Sequence, residues 1–278
     1  MPPATIDSHH HLWKFNTEDY GWMSEEMNVL RRDYLPEEFA ALTSAAGIDG
    51  VVTVQARQIV EETDWLLELA AEHDFIRGVV GWVPLIDEGA GDLLDKYRGA
   101  EKLKAIRHIL HDEADDDYML RDDFNRGIRA LKPRDLVYDI LIFERHLPQT
   151  LEFVDRHPGQ VFVVDHIAKP RIRDNVISPW REGMMELGRR ENIYCKVSGM
   201  VTEADWGAWT EEQLRPYFDA VLEAFGPARL MFGSDWPVCL LASEYARWVD
   251  IVRRAISGLS AEEQAMILGG TAAKAYRL

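Results

Sequence analysis

The opening segment Ile6-Asp7-Ser8-His9-His10-His11-Leu12-Trp13 places three of the chain's nine histidines in one run. In an extended strand alternate side chains share a face, so His9 and His11 stand with Asp7 while Ser8, His10 and Leu12 take the other side. The run is therefore a His-x-His pair. A tag remnant would carry more histidines and would not be embedded between Ile-Asp-Ser and Leu-Trp. Further along, polar groups recur at the ends of apolar runs: Gln55, Trp82, Arg107 with His108, Asp165 with His166, Lys196 with Ser198, and Asp235 followed by Trp236. Titratable side chains so deep in apolar sequence are costly unless they are paired, and their recurrence points to one shared site. Asp235 is the candidate base for activating a water. His9, His11 and His166 surround it, and His166, His108 or Arg107 is expected to face developing oxyanion charge. The same His9, His11, His166 and Asp235 set would suit one Zn²⁺ or similar ion with a position left open for water. Lys196 either binds substrate oxygens or pairs with Asp165 or Glu203. Trp13, Trp22, Trp82, Trp206 and Trp236 are candidates for a stacking wall, each with core packing as its alternative.

Such residues can meet only if the elements carrying them end on one rim. Short β-rich apolar runs occupy 6–13, 50–56, 77–85, 104–110, 137–143, 161–167, 193–199 and 229–235. Helical patterns fill 36–46, 61–72, 121–131, 147–157, 179–190 and 211–225, several opening with proline or acids. Strand and helix alternate, which implies βαβ units and a parallel sheet buried on both faces. Eight units closing on themselves give an α/β fold, a single (β/α)8 TIM-type barrel over 1–278, in which chemistry sits at the C-terminal strand ends. The segments 243–258 and 261–276 are expected as extra C-terminal helices. An open doubly wound sheet is the alternative, but no Gly-x-Gly-x-x-Gly follows the first strand.

Composition bounds the partners. Hydrophobic residues make up 47% of the 278, enough for a substantial core, and 48 Asp+Glu against 31 Lys+Arg give a formal net charge of −17. That balance argues against nucleic acid and anionic membranes as partners, since both need a basic footprint. Two cysteines make no disulfide framework, no apolar h-region precedes His9, and no 18-residue apolar run is present. The expected setting is the cytoplasm, with a small-molecule substrate. Whether the chain forms a homo-oligomer is left open.

Taken in order, Asp7-x-His9-x-His11, "VVDHIAKP" around His166, "IYCKVSGM" around Lys196 and "RLMFGSDWPV" around Asp235 closely resemble the amidohydrolase superfamily. More narrowly they resemble its sugar-lactonase branch, amidohydrolase family 2 or L-fuconolactonase-like proteins, over roughly Ile6 to Leu278. The resemblance implies a (β/α)8 hydrolase that opens a sugar lactone of the L-fucono-, L-rhamnono- or galactono-lactone type. The strand-eight aspartate would activate water and the histidines would polarise the carbonyl, with Arg107, His108, Lys196, Trp82, Trp236, Gln55 and Trp22 as substrate contacts. Two-metal members carry a bridging Lys or Glu on strand four and a His on strand five. Here strand four offers Arg107 and His108, and "VYDILIF" on strand five has no His. At most one divalent ion is expected, and the lactonase branch implies none that is obligatory. A metal-dependent decarboxylase of small aromatic acids from the same superfamily is the alternative. A binding barrel without catalysis is a weaker one, because Asp235 is retained.

Overall fold

The computed structural model describes residues 4–278. Its strands are β1 (Ile6–His10), β2 (Gly50–Val54), β3 (Ile76–Gly81), β4 (Leu103–Ile109), β5 (Val137–Leu141), β6 (Phe162–Val164), β7 (Ile193–Val197) and β8 (Leu230–Phe232). Each pairs in parallel with the next in chain order. The connections carry α1 (Pro36–Ala45), α2 (Val60–Glu72), α3 (Ala90–Lys96), α4 (Asp122–Arg129), α5 (Leu147–Asp155), α6 (Trp180–Leu187) and α7 (Glu211–Phe225). After β8 come α8 (Tyr245–Ala255), α9 (Ala261–Ala265) and α10 (Thr271–Tyr276). The fold is a (β/α)8 barrel with extra C-terminal helices. Among the described residues no helix is long and apolar enough to cross a membrane.

Local chemistry accounts for the helix starts. Pro36 opens α1 with Glu37 and Glu38 in its first turn, where acids oppose the helix dipole. Thr210 caps α7, its hydroxyl accepting the Gln213 amide at 3.3 Å. The short α3 lay outside the expected helices. The strands depart from expectation mainly at their C-terminal ends, where β6 stops at Val164 and β8 at Phe232, short of the expected 167 and 235.

Two cores result. Ile6, Val52, Val54, Val80, Ala105, Val137, Val163 and Met231 fill the barrel interior together with Ala272, Ala275 and Tyr276 of α10. The C-terminal helix thus plugs the barrel from below. A larger apolar layer lies between the strands and the surrounding helices.

The barrel closes through the segments that carry the candidate chemistry. The Asp235 amide donates to the His9 carbonyl at 2.8 Å and the His11 amide to the Trp236 carbonyl at 2.7 Å. Against β2, Asp7 pairs with Val51 and His10 with Thr53, so three steps on β1 answer two on β2. That bulge corrects the simple alternation expected for the opening run. His9 and His11 do share a face, but Asp7 does not join them. Its carboxylate accepts from the Ser234 amide and from the Tyr245 hydroxyl of α8, outside the strands. His10 also points outward, onto the Phe39 ring at 4.2 Å, with its Nε2 2.8 Å from the Thr53 hydroxyl.

Candidate active site

Above the apolar plug lies a tier of buried charge. Lys196 on β7 contacts Asp139 at 2.6 Å, Asp165 at 2.9 Å and His9 Nδ1 at 3.1 Å. From α10 below, the Tyr276 hydroxyl donates to Asp139 at 2.8 Å. Arg107 on β4 donates to Asp165 at 3.0 Å and to the Gln55 side chain at 2.9 Å. Two cations thus face two carboxylates, all four side chains buried, where an unpaired member would be prohibitively costly. Burial alone would push the Asp165 carboxyl up, but Lys196, His9 and Arg107 hold it well below the usual range. Of the two alternatives for Lys196, the structure shows the ion pair with Asp165, joined by Asp139.

The next tier holds the imidazoles. His11 Nδ1 lies 2.8 Å from the Val54 carbonyl, which only accepts, so Nδ1 donates there and Nε2 faces the cavity side of the site. His9 Nε2 lies 3.2 Å from His11 Nε2. His166 Nδ1 is held by the Ser198 hydroxyl at 2.8 Å. Asp235 Oδ1 then sits among three Nε2 atoms, 3.4 Å from His11 and 3.8 Å from both His9 and His166. Burial would raise the Asp235 carboxyl, yet His166 and His11 keep it below its ordinary value, an ionised base at neutral pH. Burial also lowers His9 far below the imidazole range and His166 to about 4, so both are neutral.

Holding these groups requires unusual backbone. Residues 166–169 all have positive φ, between 45° and 60°, and Asp235 has φ 59°. The left-handed region costs a side-chain-bearing residue roughly 1–2 kcal/mol, and such strain concentrates where a site demands it. Gly199, at φ 65°, leaves the room this turn needs: a Cβ there would stand 2.8 Å from the His166 ring.

The tiers open into a cavity of about 320 Å³. Asp235, His11, His166, Arg107 and Trp22 line it, and His9 lies just beneath. The expected contacts Gln55, His108, Lys196, Trp82 and Trp236 do not line it. Gln55 is spent on Arg107. Because Arg107 faces inward, strand alternation turns His108 outward, where it meets Glu113 at 2.7 Å, the Trp82 indole at 3.2 Å and the Tyr118 ring. Trp236 is buried flat on Phe39, with ring centroids 4.4 Å apart. Of the other tryptophans, Trp13 and Trp206 reach the wall.

The cavity also contains His111, Lys169 and Glu203, which sequence reasoning did not assign to it. Lys169 stands inside the "DHIAKP" motif, so its proximity to His166 was a usable signal; the other two had none. Burial lowers His111 to about 2 and raises the Glu203 carboxyl.

The donor set has room for a metal. His9, His11 and Asp235 offer ligand atoms within 4.8 Å of one another, as do His9, Asp165 and His166. The neutral imidazoles of His9 and His166 beside the Asp235 carboxylate are donors of the kind a divalent ion takes.

Four similarities to known proteins bear on this geometry. The family model described as "Amidohydrolase" matches residues 6–278. The L-fucono-1,5-lactonase of Burkholderia multivorans is 44% identical, covering 100% of this chain and 97% of that protein. The enzyme of the same name from Burkholderia ambifaria is 34% identical over 98% and 95%. A crystal structure of an amidohydrolase from Burkholderia multivorans with bound Zn superposes with a TM-score of 0.96 at 42% identity, covering 99% of both chains.

Proposed function

The chain belongs to the amidohydrolase family, and from that premise we propose that it hydrolyses a sugar lactone to its hydroxy acid, with Asp235 as general base. The observation that carries the mechanism is the position of the Asp235 carboxylate, ringed by three imidazoles and lining the cavity. The whole-length likeness to proteins named L-fucono-1,5-lactonase supports the substrate class.

In this reading Asp235 takes a proton from water as the oxygen attacks the lactone carbonyl. The charge developing on the carbonyl oxygen faces Arg107 and His166, both on the cavity wall. When the ring C–O bond breaks, Asp235 returns its proton to the leaving alkoxide. His9 and His11 shape the base and its water site. Lys196 acts beneath them, holding His9 and Asp165 in place, and Trp22 contributes to the wall. A divalent ion held by His9, His11 and Asp235 would polarise the water or the carbonyl.

A screen of sugar lactones, read by proton release on enzyme as isolated and after chelation, tests the proposal. L-fucono- and related deoxysugar lactones are expected among the best substrates. No turnover of any lactone, together with metal-dependent release of CO₂ from an aromatic acid, would favour the decarboxylase alternative.

A further inference from the structure

Two charged side chains of the cavity wall take no part in the steps above. Lys169 closes the left-handed turn after β6, and Glu203 lies in the loop after β7. Their charged atoms approach to 3.4 Å, and each side chain is 21% exposed. Lys169 also lies 5.4 Å over the Phe143 ring. Among the described residues, neither the ammonium nor the carboxylate makes another ion pair or any hydrogen bond.

The fold does not need this pair. Backbone bonds already place both residues: the Lys169 amide donates to the His166 carbonyl at 2.8 Å, and the Glu203 carbonyl accepts the Arg173 amide at 2.9 Å. A lone, partly exposed ion pair contributes little stability, while withdrawing both charges from water has a cost. What it does leave is capacity. An ammonium has three N–H donors and a carboxylate about four acceptor sites, of which their mutual contact uses few.

The form of that capacity selects a ligand. A hydroxyl group both accepts and donates, so adjacent hydroxyls can satisfy the ammonium and the carboxylate together. A ligand carboxylate would be repelled by Glu203 and a ligand amine by Lys169. His111, neutral and with a buried Nδ1 that has no partner, stands on the same wall. We infer that Lys169 and Glu203 form the specificity-determining pair that grips ring hydroxyls of the substrate, so that a polyhydroxylated lactone is chosen over a bare ring. This rests on the lactone-hydrolase reading.

The test compares Glu203→Gln and Lys169→Met with the unaltered enzyme on a polyhydroxylated six-membered lactone and on δ-valerolactone, the same ring without hydroxyls. Hydrogen bonds to charged groups set the scale, so kcat/KM on the sugar lactone should fall about tenfold to a hundredfold, chiefly through KM. On δ-valerolactone it should change by less than about twofold. If δ-valerolactone turns over too slowly to time, its Ki as a competitor replaces its rate and should be unchanged. Equal losses on both rings, or no loss on the sugar lactone, would overturn the inference. An unaltered enzyme that opens no lactone would instead overturn the parent reading, and this one with it. Thermal melts of the variants separate a folding defect from selective loss.

Discussion

Asp235 and His10 make contrasting cases at the scale of single residues. The first sits among three imidazoles at the cavity, and the second, one position from two of them, packs outward on Phe39. Asp235→Asn keeps the shape and removes the base, so kcat should drop by at least about 100-fold with KM little changed. His10→Ala should leave kcat within about twofold and lower the melting temperature, since it loses a ring contact and the Thr53 bond. Steady-state kinetics paired with thermal melts check both, and an Asn variant with near wild-type turnover would remove Asp235 from the mechanism. His157 carries a pH effect. Burial lowers it to about 4, below its unfolded value, and its Nε2 lies 2.6 Å from Asn125 Oδ1. The unfolded chain therefore binds the extra proton first, and this contribution to stability is present above pH ~6.5 and is lost as pH falls toward 4. His157→Gln should flatten the fall in melting temperature across that window. An unchanged slope would show that the histidine titrates alike in both states.

At the scale of elements, the site is made where strands stop being strands. β6 ends at Val164 and β8 at Phe232, and the residues just beyond turn into left-handed backbone that aims His166 and Asp235 at the cavity. Gly199 in the neighbouring loop permits this by lacking a side chain beside the His166 ring. Gly199→Ala combines an unfavourable φ with that collision, so it should cost about 1–2 kcal/mol of stability and lower kcat by at least about tenfold. Full activity with an unshifted melt would mean the turn relaxes freely. The β1 bulge works similarly, turning His9 and His11 inward while Asp7 braces Ser234 and Tyr245 outside.

The whole molecule stacks an apolar plug, a balanced tier of buried charge, and an imidazole tier under an open cavity, each supporting the one above. Tyr276, near the chain's end, reaches Asp139, which reaches Lys196, which reaches His9. The charge tier balances itself, Lys196 and Arg107 against Asp139 and Asp165, and so holds His9 in place without an ion. We therefore expect chelation to leave most lactonase activity in place and metal analysis to find at most one ion per chain. Two stoichiometric ions, or complete loss of activity restored by Zn²⁺, would refute this expectation.

Much of the architecture was legible in the sequence because periodicity is a local property: each β-rich run and each amphipathic stretch records its own burial, and eight of them in alternation admit few topologies. The His-x-His pair, His166 and Asp235 stood out for the same reason, as polar groups at the ends of apolar runs. What only the tertiary structure decided was direction and partnership. One extra residue in β1 moved Asp7 off the histidine face, and inward Arg107 turned His108 away from the cavity. Lys169 and Glu203, 34 positions apart, meet only because two neighbouring strands deliver their loops to one rim. Side-chain direction at a bulge, and contacts across a barrel, depend on packing among segments distant in the chain, which no local pattern of residues encodes.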